Sequence, residues 1–230
     1  MSSSNLEILA YEQSPLGPLC LRRRELLSMP GTVVTEVTLN HEFLMSSLYT
    51  ESETALARLA LEMHPGVDLR VLIGGLGLGH TAAAAIESPR VEEVVVMELL
   101  PQVAGWLEQD LLPLSAELKA DPRFGVEVGD FFARVAAPPA RRFDLILVDI
   151  DHAPDNHLDH ANLPFYSPEG LASVRDHMAP RGVLAVWSSA DSAGFRSALE
   201  QSFDEVRVER VTFHNDLVDE TVTDWIFLAR

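Results

Sequence analysis

The sequence is poor in cysteine and has no long apolar run. A single cysteine, Cys20, in 230 residues excludes an intrachain disulfide and a cysteine metal cluster, and it fits a reducing, cytoplasmic location. No apolar stretch reaches the roughly 18 residues that a membrane-spanning helix needs. The first residues also lack the basic and apolar segments of a signal peptide. We therefore expect a cytoplasmic protein with no membrane partner.

Basic residues are scarce as well. The chain has 17 lysines and arginines against 35 acidic residues, which gives a net charge of −18 and a pI of about 4.7. Such a field repels nucleic acid, so we expect no nucleic-acid partner. It attracts cations, including polyamines, although charge alone does not identify a substrate.

The remaining composition is that of a globular protein. Hydrophobic residues make up 47% of the chain and charged residues 23%, which are ordinary values. The length fits one large domain or one domain with a small appendage. Three short β segments precede a helix at 51–63, and strands then alternate with helices from Asp68 onward. This pattern predicts an α/β fold with a parallel, doubly wound sheet over 66–230, behind a small antiparallel β segment in 1–65.

The central motif is a glycine-rich turn between a strand and a helix. A β-branched run ends in Gly74, Gly75, Gly77 and Gly79, and helix-forming alanines follow. Glycine permits positive φ and close approach of a ligand, and the start of a helix offers free N–H groups. A plain tight turn would have the same appearance, so this motif alone is a weak signal.

Glu98 strengthens the interpretation. It ends the next predicted strand, about 20 residues beyond the glycines, where nucleotide-binding α/β units place a carboxylate for ribose hydroxyls. A solvated acid at a strand end is the alternative. His80 stands where the dinucleotide fingerprint has its third glycine. The spacing therefore favours a nucleoside ligand without a pyrophosphate over NAD or FAD.

Further acids follow the next two predicted strands. Asp130 and Phe131 follow the third strand, and Asp149 and Asp151 follow the fourth. Ligands of open α/β sheets bind at the carboxyl ends of the strands, so we expect these groups to face one site. Asp130 could accept a hydrogen bond from an adenine amino group with Phe131 beside the ring, or cap the next helix. Asp149 and Asp151 are candidate catalytic acids that take a proton from an amine or hold a cation.

A dense run of acids and histidines, Asp155 to His160, follows these residues. Such a run could bind a divalent metal, but local density shows neither ligand geometry nor a cavity. We interpret it as a solvated loop and predict no metal site. Trp187, after the fifth strand, is expected in the core rather than in a substrate wall.

These residues resemble the spermidine synthase family of class I S-adenosylmethionine-dependent transferases. The likeness is carried by GGLGLG at 74–79, VVVME ending at Glu98, GDFF at 129–132, FDLILVDIDH from Phe143, and FYSPEGL…MAPRGVLAVW at 165–187. It implies a Rossmann-like, methyltransferase-type sheet of seven strands, a thioether or sulfonium nucleoside ligand, and often a dimer. It also implies that Glu98 binds ribose, Asp130 binds adenine and Asp149 is the catalytic acid.

The chain departs from the family motifs in the part that holds the amine. The family's GGGDGG acid is replaced by Leu76 or Leu78, and its D-S-x-D-P reads Asp149-Ile150-Asp151-His152-Ala153. The family's tyrosine-histidine-glutamate motif has no clear counterpart, and Glu53 is the nearest candidate. An apolar loop holds an ammonium group poorly, because an unpaired buried charge is costly.

The leading hypothesis is a spermidine-synthase-like transferase that binds S-adenosylmethionine or its decarboxylated form. The transferred group is then an aminopropyl group and the acceptor a polyamine. The alternatives are a small-molecule methyltransferase, a catalytically silent nucleoside-binding or dimerisation module, and, third, a metal-dependent hydrolase that uses the Asp/His loop.

Overall fold

The structure is a computed structural model that describes residues 5–156, 158 and 160–230. Two members of the Asp/His loop, His157 and Asp159, and the first four residues, 1–4, lie outside the described residues. None of the helices in the described part of the chain has the length and apolar character needed to cross a bilayer.

The N-terminal segment forms an antiparallel sheet of four strands in chain order. The strands are β1 (Leu6–Ser14), β2 (Gly17–Glu25), β3 (Val33–Leu39) and β4 (Glu42–Ser46). The sequence predicted three of them, and β4 was missed. β4 is short and pairs with β3 after a two-residue turn, Asn40-His41, in which both residues have positive φ. That turn lacks the glycine that usually marks a hairpin in a sequence.

The main sheet has seven strands in the order β10-β11-β9-β8-β5-β6-β7. The pairs among β5 to β9 are parallel, whereas β11 pairs antiparallel with β9 and with β10. The bounds are β5 (Leu69–Gly74), β6 (Val91–Glu98), β7 (Phe124–Val128), β8 (Phe143–Val148), β9 (Met178–Ser188), β10 (Val206–Asn215) and β11 (Glu220–Ala229). The predicted α/β class and seven-stranded sheet are confirmed.

Seven α-helices and one 3-10 helix are present in the described part of the chain. They are α1 (Glu51–Met63), α2 (His80–Ile86), α3 (Pro101–Glu108), α4 (Ser115–Ala120), α5 (Phe131–Ala136), α6 (Pro168–Asp176), α7 (Ala193–Ser202) and the 3-10 helix His160–Tyr166. The predicted single helix over 165–178 was wrong. Ser167 caps the N–H of Gly170 and Pro168 starts α6, because a proline is favoured in the first turn of a helix and not in its interior.

Alternate residues of each central strand bury their side chains in two separate cores. On β5, Val71 and Ile73 pack with α1 to α4, and Leu72 packs on the other face with α5 to α7. Leu19 and Leu21 of the small sheet join the first core. The small sheet is therefore held against one face of the main sheet, and the division at 65/66 stays a prediction.

Candidate functional site

The glycine turn after β5 is held against the turn after β8. Gly75 has φ +91°, and a Cβ at this position would lie 2.4 Å from the carbonyl oxygen of Asp149. Any other residue would meet both a strained φ and a backbone clash. Gly75 thus allows the two turns to approach each other directly, which places Asp149 beside the glycine turn.

Glu98 ends β6 and is buried behind the glycine turn. Its Oε2 accepts the N–H of Leu76 at 2.9 Å, and its Oε1 accepts the N–H of Leu100 at 2.8 Å. Burial raises the pKa of Glu98, and these backbone hydrogen bonds oppose that rise. Each oxygen keeps a further lone pair, so the carboxylate can still accept hydroxyl groups from a ligand.

Glu98 and Asp130 line one cavity beside the glycine turn, which we call the strand-tip cavity. It has a volume of about 150 Å³, and its wall includes Gly75, Gly77, Met97 and Phe131. An adjoining cavity of about 290 Å³ also contains Asp130 in its wall, together with Phe132 and Asn162. The two predicted ribose and adenine carboxylates therefore face a common hollow, as expected of acids at neighbouring strand ends.

Asp130 caps α5 and remains partly available. Its Oδ1 accepts the N–H groups of Phe132 at 2.8 Å and Ala133 at 3.1 Å. Oδ2 has no partner among the described residues and is free for an amino group. Phe131 reaches the cavity but is only 2% exposed and belongs to the core. Phe132 is less buried than Phe131. It lines the strand-tip cavity and the adjoining cavity of about 290 Å³, so it is better placed beside an adenine ring.

A larger cavity of about 500 Å³ lies on the other side of Asp149. We call it the acidic cavity, because Glu53 of α1, Asp149 after β8 and Asp224 of β11 line it. It shares part of its wall with the strand-tip cavity, namely Leu44, Met45, Gly77, Asp149 and Ile150. The two cavities therefore meet at Asp149.

The three carboxyl groups of the acidic cavity affect each other's ionisation. Burial, followed by the charges of Asp149 and Asp224, raises the pKa of Glu53 to about 8. Burial and the charge of Asp224 raise the pKa of Asp149 to about 6, against a hydrogen bond from Thr81. Burial also raises the pKa of Asp224. Three buried anions repel one another, so the cavity favours protonated carboxyl groups, and a cationic ligand can replace those protons.

Polar neighbours hold the carboxyl groups in place. The Thr81 hydroxyl donates to Asp149 Oδ2 at 3.0 Å, and the Ser52 hydroxyl donates to Glu53 Oε2 at 3.3 Å. The side chains of Ser52 and Trp187 oppose the effect of burial on the pKa of Asp224. Trp187 packs partly against the core, as expected, but it also lines the acidic cavity.

Asp151 does not lie where the sequence placed it. It is 2% exposed, and it is not among the described residues that line the strand-tip cavity or the acidic cavity. Its Oδ1 accepts from the Leu158 N–H at 2.7 Å and from Asn162 Nδ2 at 2.8 Å, and its Oδ2 accepts the Tyr166 hydroxyl at 2.9 Å. Asp151 therefore fastens the chain between β8 and α6.

The glycines divide into two pairs. Gly75 and Gly77 line the strand-tip cavity. In contrast, Gly74 and Gly79 are not among the described residues that line the strand-tip cavity or the acidic cavity. Gly74 ends β5, and Gly79 is the left-handed N-cap of α2. The expectation that all four would face a ligand therefore does not match their positions.

Asp224 was missed by the sequence reasoning. It lies in the middle of β11, which is antiparallel to β9. The rule that ligands bind at the carboxyl ends of parallel strands therefore does not apply to it. An acid directly before the apolar run 225–229 was the signal available in the sequence.

The Asp/His loop forms no metal site in the part of it that the structure describes. Across the described residues, no three histidine, cysteine or acidic side chains are grouped as metal ligands.

The strand order, the glycine turn and the acids at the strand ends define a class I methyltransferase-type fold. No protein-family model matches the chain. A crystal structure of spermidine synthase with the transition state analogue AdoDATO superposes with a TM-score of 0.75 and 18% identity, covering 96% of this chain and 73% of that one. Spermidine synthase from Thermotoga maritima gives 0.72 and 18%, covering 96% and 71%.

A sequence relative is also found. Polyamine aminopropyltransferase 2 of Streptomyces coelicolor is 35% identical over 129 residues, which are 54% of this chain and 23% of the relative. The chain thus spans less than a quarter of that relative's length. Together, the relative and the two structures confirm the resemblance to the spermidine synthases that the motifs predict.

Proposed function

We propose that the chain is an aminopropyltransferase, which uses decarboxylated S-adenosylmethionine as donor and an amine as acceptor. The observation that carries this proposal is the meeting of the strand-tip cavity and the acidic cavity at Asp149. A nucleoside site and a cation site that share one carboxylate suit a transfer from a sulfonium nucleoside to an amine. The sequence relative, an aminopropyltransferase by name, supports the same chemistry.

In this proposal the strand-tip cavity holds the nucleoside. Glu98 binds the ribose hydroxyls through the lone pairs that its backbone hydrogen bonds leave free. Oδ2 of Asp130 accepts the adenine amino group, and Phe132 lies beside the ring. Gly75 and Gly77 let the backbone approach the sugar and the sulfur.

The acidic cavity binds the amines. The family's glycine-loop acid is missing, and Leu76 and Leu78 line the cavity instead. Glu53 and Asp224 supply carboxyl groups from α1 and β11, which lose their protons when a cationic amine binds, so an ammonium group has anionic partners without that acid. An ammonium group in this cavity is therefore paired with carboxylates even though the glycine loop is apolar, and the cost of an unpaired buried charge is avoided.

Asp149 is placed to act in the transfer. The lone pair of an acceptor amine attacks the methylene carbon next to the sulfonium, the carbon–sulfur bond breaks, and its electrons stay on sulfur. The products are methylthioadenosine and the aminopropylated amine, and the amine proton passes to Asp149. Its raised pKa, about 6, makes this carboxylate a better general base than an ordinary aspartate while it stays mostly ionised at neutral pH.

Assembly and location remain predictions. We infer a homodimer in the cytoplasm, in accordance with the family resemblance and the single cysteine. Light scattering during size-exclusion chromatography tests the dimer.

The experiment is product analysis by mass spectrometry. Purified protein with decarboxylated S-adenosylmethionine and putrescine should form methylthioadenosine and spermidine in equal amounts, and Asp149→Asn should lose most of this rate. A parallel reaction with S-adenosylmethionine should give no S-adenosylhomocysteine. Formation of S-adenosylhomocysteine instead would make the protein a methyltransferase.

A further inference from the structure

A second charged group lies in the wall of the acidic cavity, on the small N-terminal sheet. Arg22 and Arg24 of β2 and Glu36 of β3 all line this cavity. Arg22 pairs directly with Glu36 across the strands. Its Nε and Nη2 lie 2.9 Å from Glu36 Oε2. Arg24 reaches Glu36 Oε1 with Nη2 at 2.8 Å and with Nε at 3.0 Å.

Glu36 accepts hydrogen bonds from only some of the N–H donors of the two arginines. In each guanidinium group, Nη1 has no partner among the described residues, and each arginine side chain is 34% exposed. The Glu36 side chain is 5% exposed. Two cations against one anion leave a surplus positive charge, and the free N–H groups are donors that match a carboxylate.

Glu36 remains ionised in this arrangement. Burial alone would raise its pKa, but the hydrogen bonds and charges of Arg24 and Arg22 outweigh burial and hold the pKa below its usual value. The surplus charge of the group is therefore positive at neutral pH.

The arginine group and the three carboxyl groups line the same cavity from different elements. The charges that act on Glu53 come from Asp149 and Asp224, and the charge that acts on Asp149 comes from Asp224. The arginines act on Glu36. The acidic cavity, with about 500 Å³, thus has an anionic region at the transfer centre and a cationic region on the small sheet.

We infer that the acceptor is an amine that also carries a carboxylate, such as a diamino acid, rather than a simple diamine. This inference rests on the proposed function and specifies its acceptor. The reacting amine lies at Asp149, and the carboxylate binds the free N–H groups of Arg22 and Arg24. The carboxylate takes no part in bond making, so the transfer is balanced as described above.

The test compares acceptors that differ in the carboxylate. With decarboxylated S-adenosylmethionine, wild-type protein should use ornithine with a kcat/KM at least about tenfold above that for putrescine, since a charge-assisted contact is worth about one order of magnitude. Equal or better use of putrescine would overturn the inference and leave the proposed function intact.

Two variants should shift the preference in opposite directions. Arg22→Gln removes one cation while Arg24 still pairs with Glu36, and it should lower the ornithine/putrescine ratio by about tenfold. Glu36→Gln removes the competing anion and should raise that ratio. Misfolding cannot produce opposite shifts. Arg58→Gln, which breaks a surface pair with Glu87, is the matched control and should change neither reaction.

A binding measurement covers the case in which no acceptor reacts. Calorimetry on protein saturated with methylthioadenosine should show tighter binding of ornithine than of putrescine, and equal binding would overturn the inference. Absence of product together with preferred ornithine binding would refute the proposed transfer alone. If Arg22→Gln instead weakened S-adenosylmethionine while decarboxylated S-adenosylmethionine was unaffected, the carboxylate would belong to the donor and the inference would be wrong.

Discussion

The hydroxyl of Thr81 donates a hydrogen bond to Asp149 Oδ2 at 3.0 Å. Thr81 lies in the first turn of α2 and is 4% exposed, so the helix that follows the glycine turn positions a donor for the carboxylate that the two cavities share. The bond favours the ionised carboxylate and opposes the rise in pKa caused by burial. Thr81 therefore helps to set the pH at which Asp149 can accept a proton.

Thr81→Val should move the activity profile to higher pH. Valine keeps the shape and removes the donor, so the pKa of Asp149 should rise from about 6. We expect the rising limb of kcat/KM to move up by about one pH unit, because a hydrogen bond to a charged group contributes about 1.5 kcal/mol. The measurement is kcat/KM against pH.

Asp224→Asn should move the same limb in the opposite direction, because the charge of Asp224 raises the pKa of Asp149. Thr212→Val, at an exposed threonine of β10, serves as the control. A Thr81→Val profile that coincides with the wild-type profile would refute a role of Asp149 as the titrating base.

Glu98→Gln should weaken nucleoside binding. The amide has one acceptor oxygen where the carboxylate has two, and Leu76 and Leu100 already use both carboxylate oxygens. One ribose hydrogen bond to a charged acceptor is lost, so the Kd for methylthioadenosine should rise by about tenfold or more. Isothermal calorimetry measures this change.

Glu92→Gln is the matched control for Glu98→Gln, because Glu92 lies on the same strand and is exposed. Its Kd should equal that of the wild type. Unchanged affinity in Glu98→Gln, with the fold intact by circular dichroism, would remove Glu98 from the nucleoside site.

The sequence indicated which residues gather at the strand-tip cavity because that cavity follows from local patterns, and their roles in binding stay predictions. Apolar runs that end in Glu98 and Asp149 identify parallel strands, and parallel strands bring their carboxyl ends to one edge. The acidic cavity needed tertiary information. Glu53 was only the nearest candidate for a missing motif, and Asp224 reaches the cavity from the middle of an antiparallel strand.

Asp151 illustrates a second limit. Asp149 and Asp151 are two residues apart after the same strand. Because both are acids at the end of that strand, the sequence predicted both as catalytic acids. The chain turns after β8, and Asp151 points to Asn162 and Tyr166 instead. Those partners lie more than ten residues further on in a 3-10 helix that the periodicity did not predict. Local density of acids therefore cannot tell a catalytic carboxylate from one that fastens a loop.

Asp151→Asn should act on stability more than on the chemical step. Asparagine cannot accept all three hydrogen bonds and presents an amide N–H₂ to donors. Leaving a buried donor unpaired costs about 1–3 kcal/mol. Urea unfolding should show a loss of that size, and kcat with saturating substrates should change less than for Asp149→Asn.

Asp155→Asn, exposed in the same segment, should behave as wild type. If Asp151→Asn instead abolished kcat with unchanged stability, Asp151 would be a catalytic residue as the sequence suggested.

Glu53 should make the ligand-free protein less stable as the pH rises. Its pKa is raised from 4.5 to about 8 by burial and by the charges of Asp149 and Asp224. Between these values the unfolded chain has lost the proton while the folded protein keeps it. The folded state then binds more protons, so the free energy of unfolding falls with rising pH across this window. Because a tenfold change in proton affinity corresponds to about 1.4 kcal/mol, the full fall is on the order of a few kcal/mol.

Glu53→Gln should remove most of this pH dependence, because glutamine stays neutral in both states. Urea unfolding at about pH 5 and about pH 8 should show a smaller loss of stability in the variant than in the wild type. Asp149, with its pKa near 6, leaves a smaller slope in the lower part of the window. Glu51→Gln, exposed on the same helix, should keep the wild-type slope. Equal slopes in wild type and Glu53→Gln would mean that Glu53 is ionised in the folded protein, and the carboxyl groups of the acidic cavity would then not share protons.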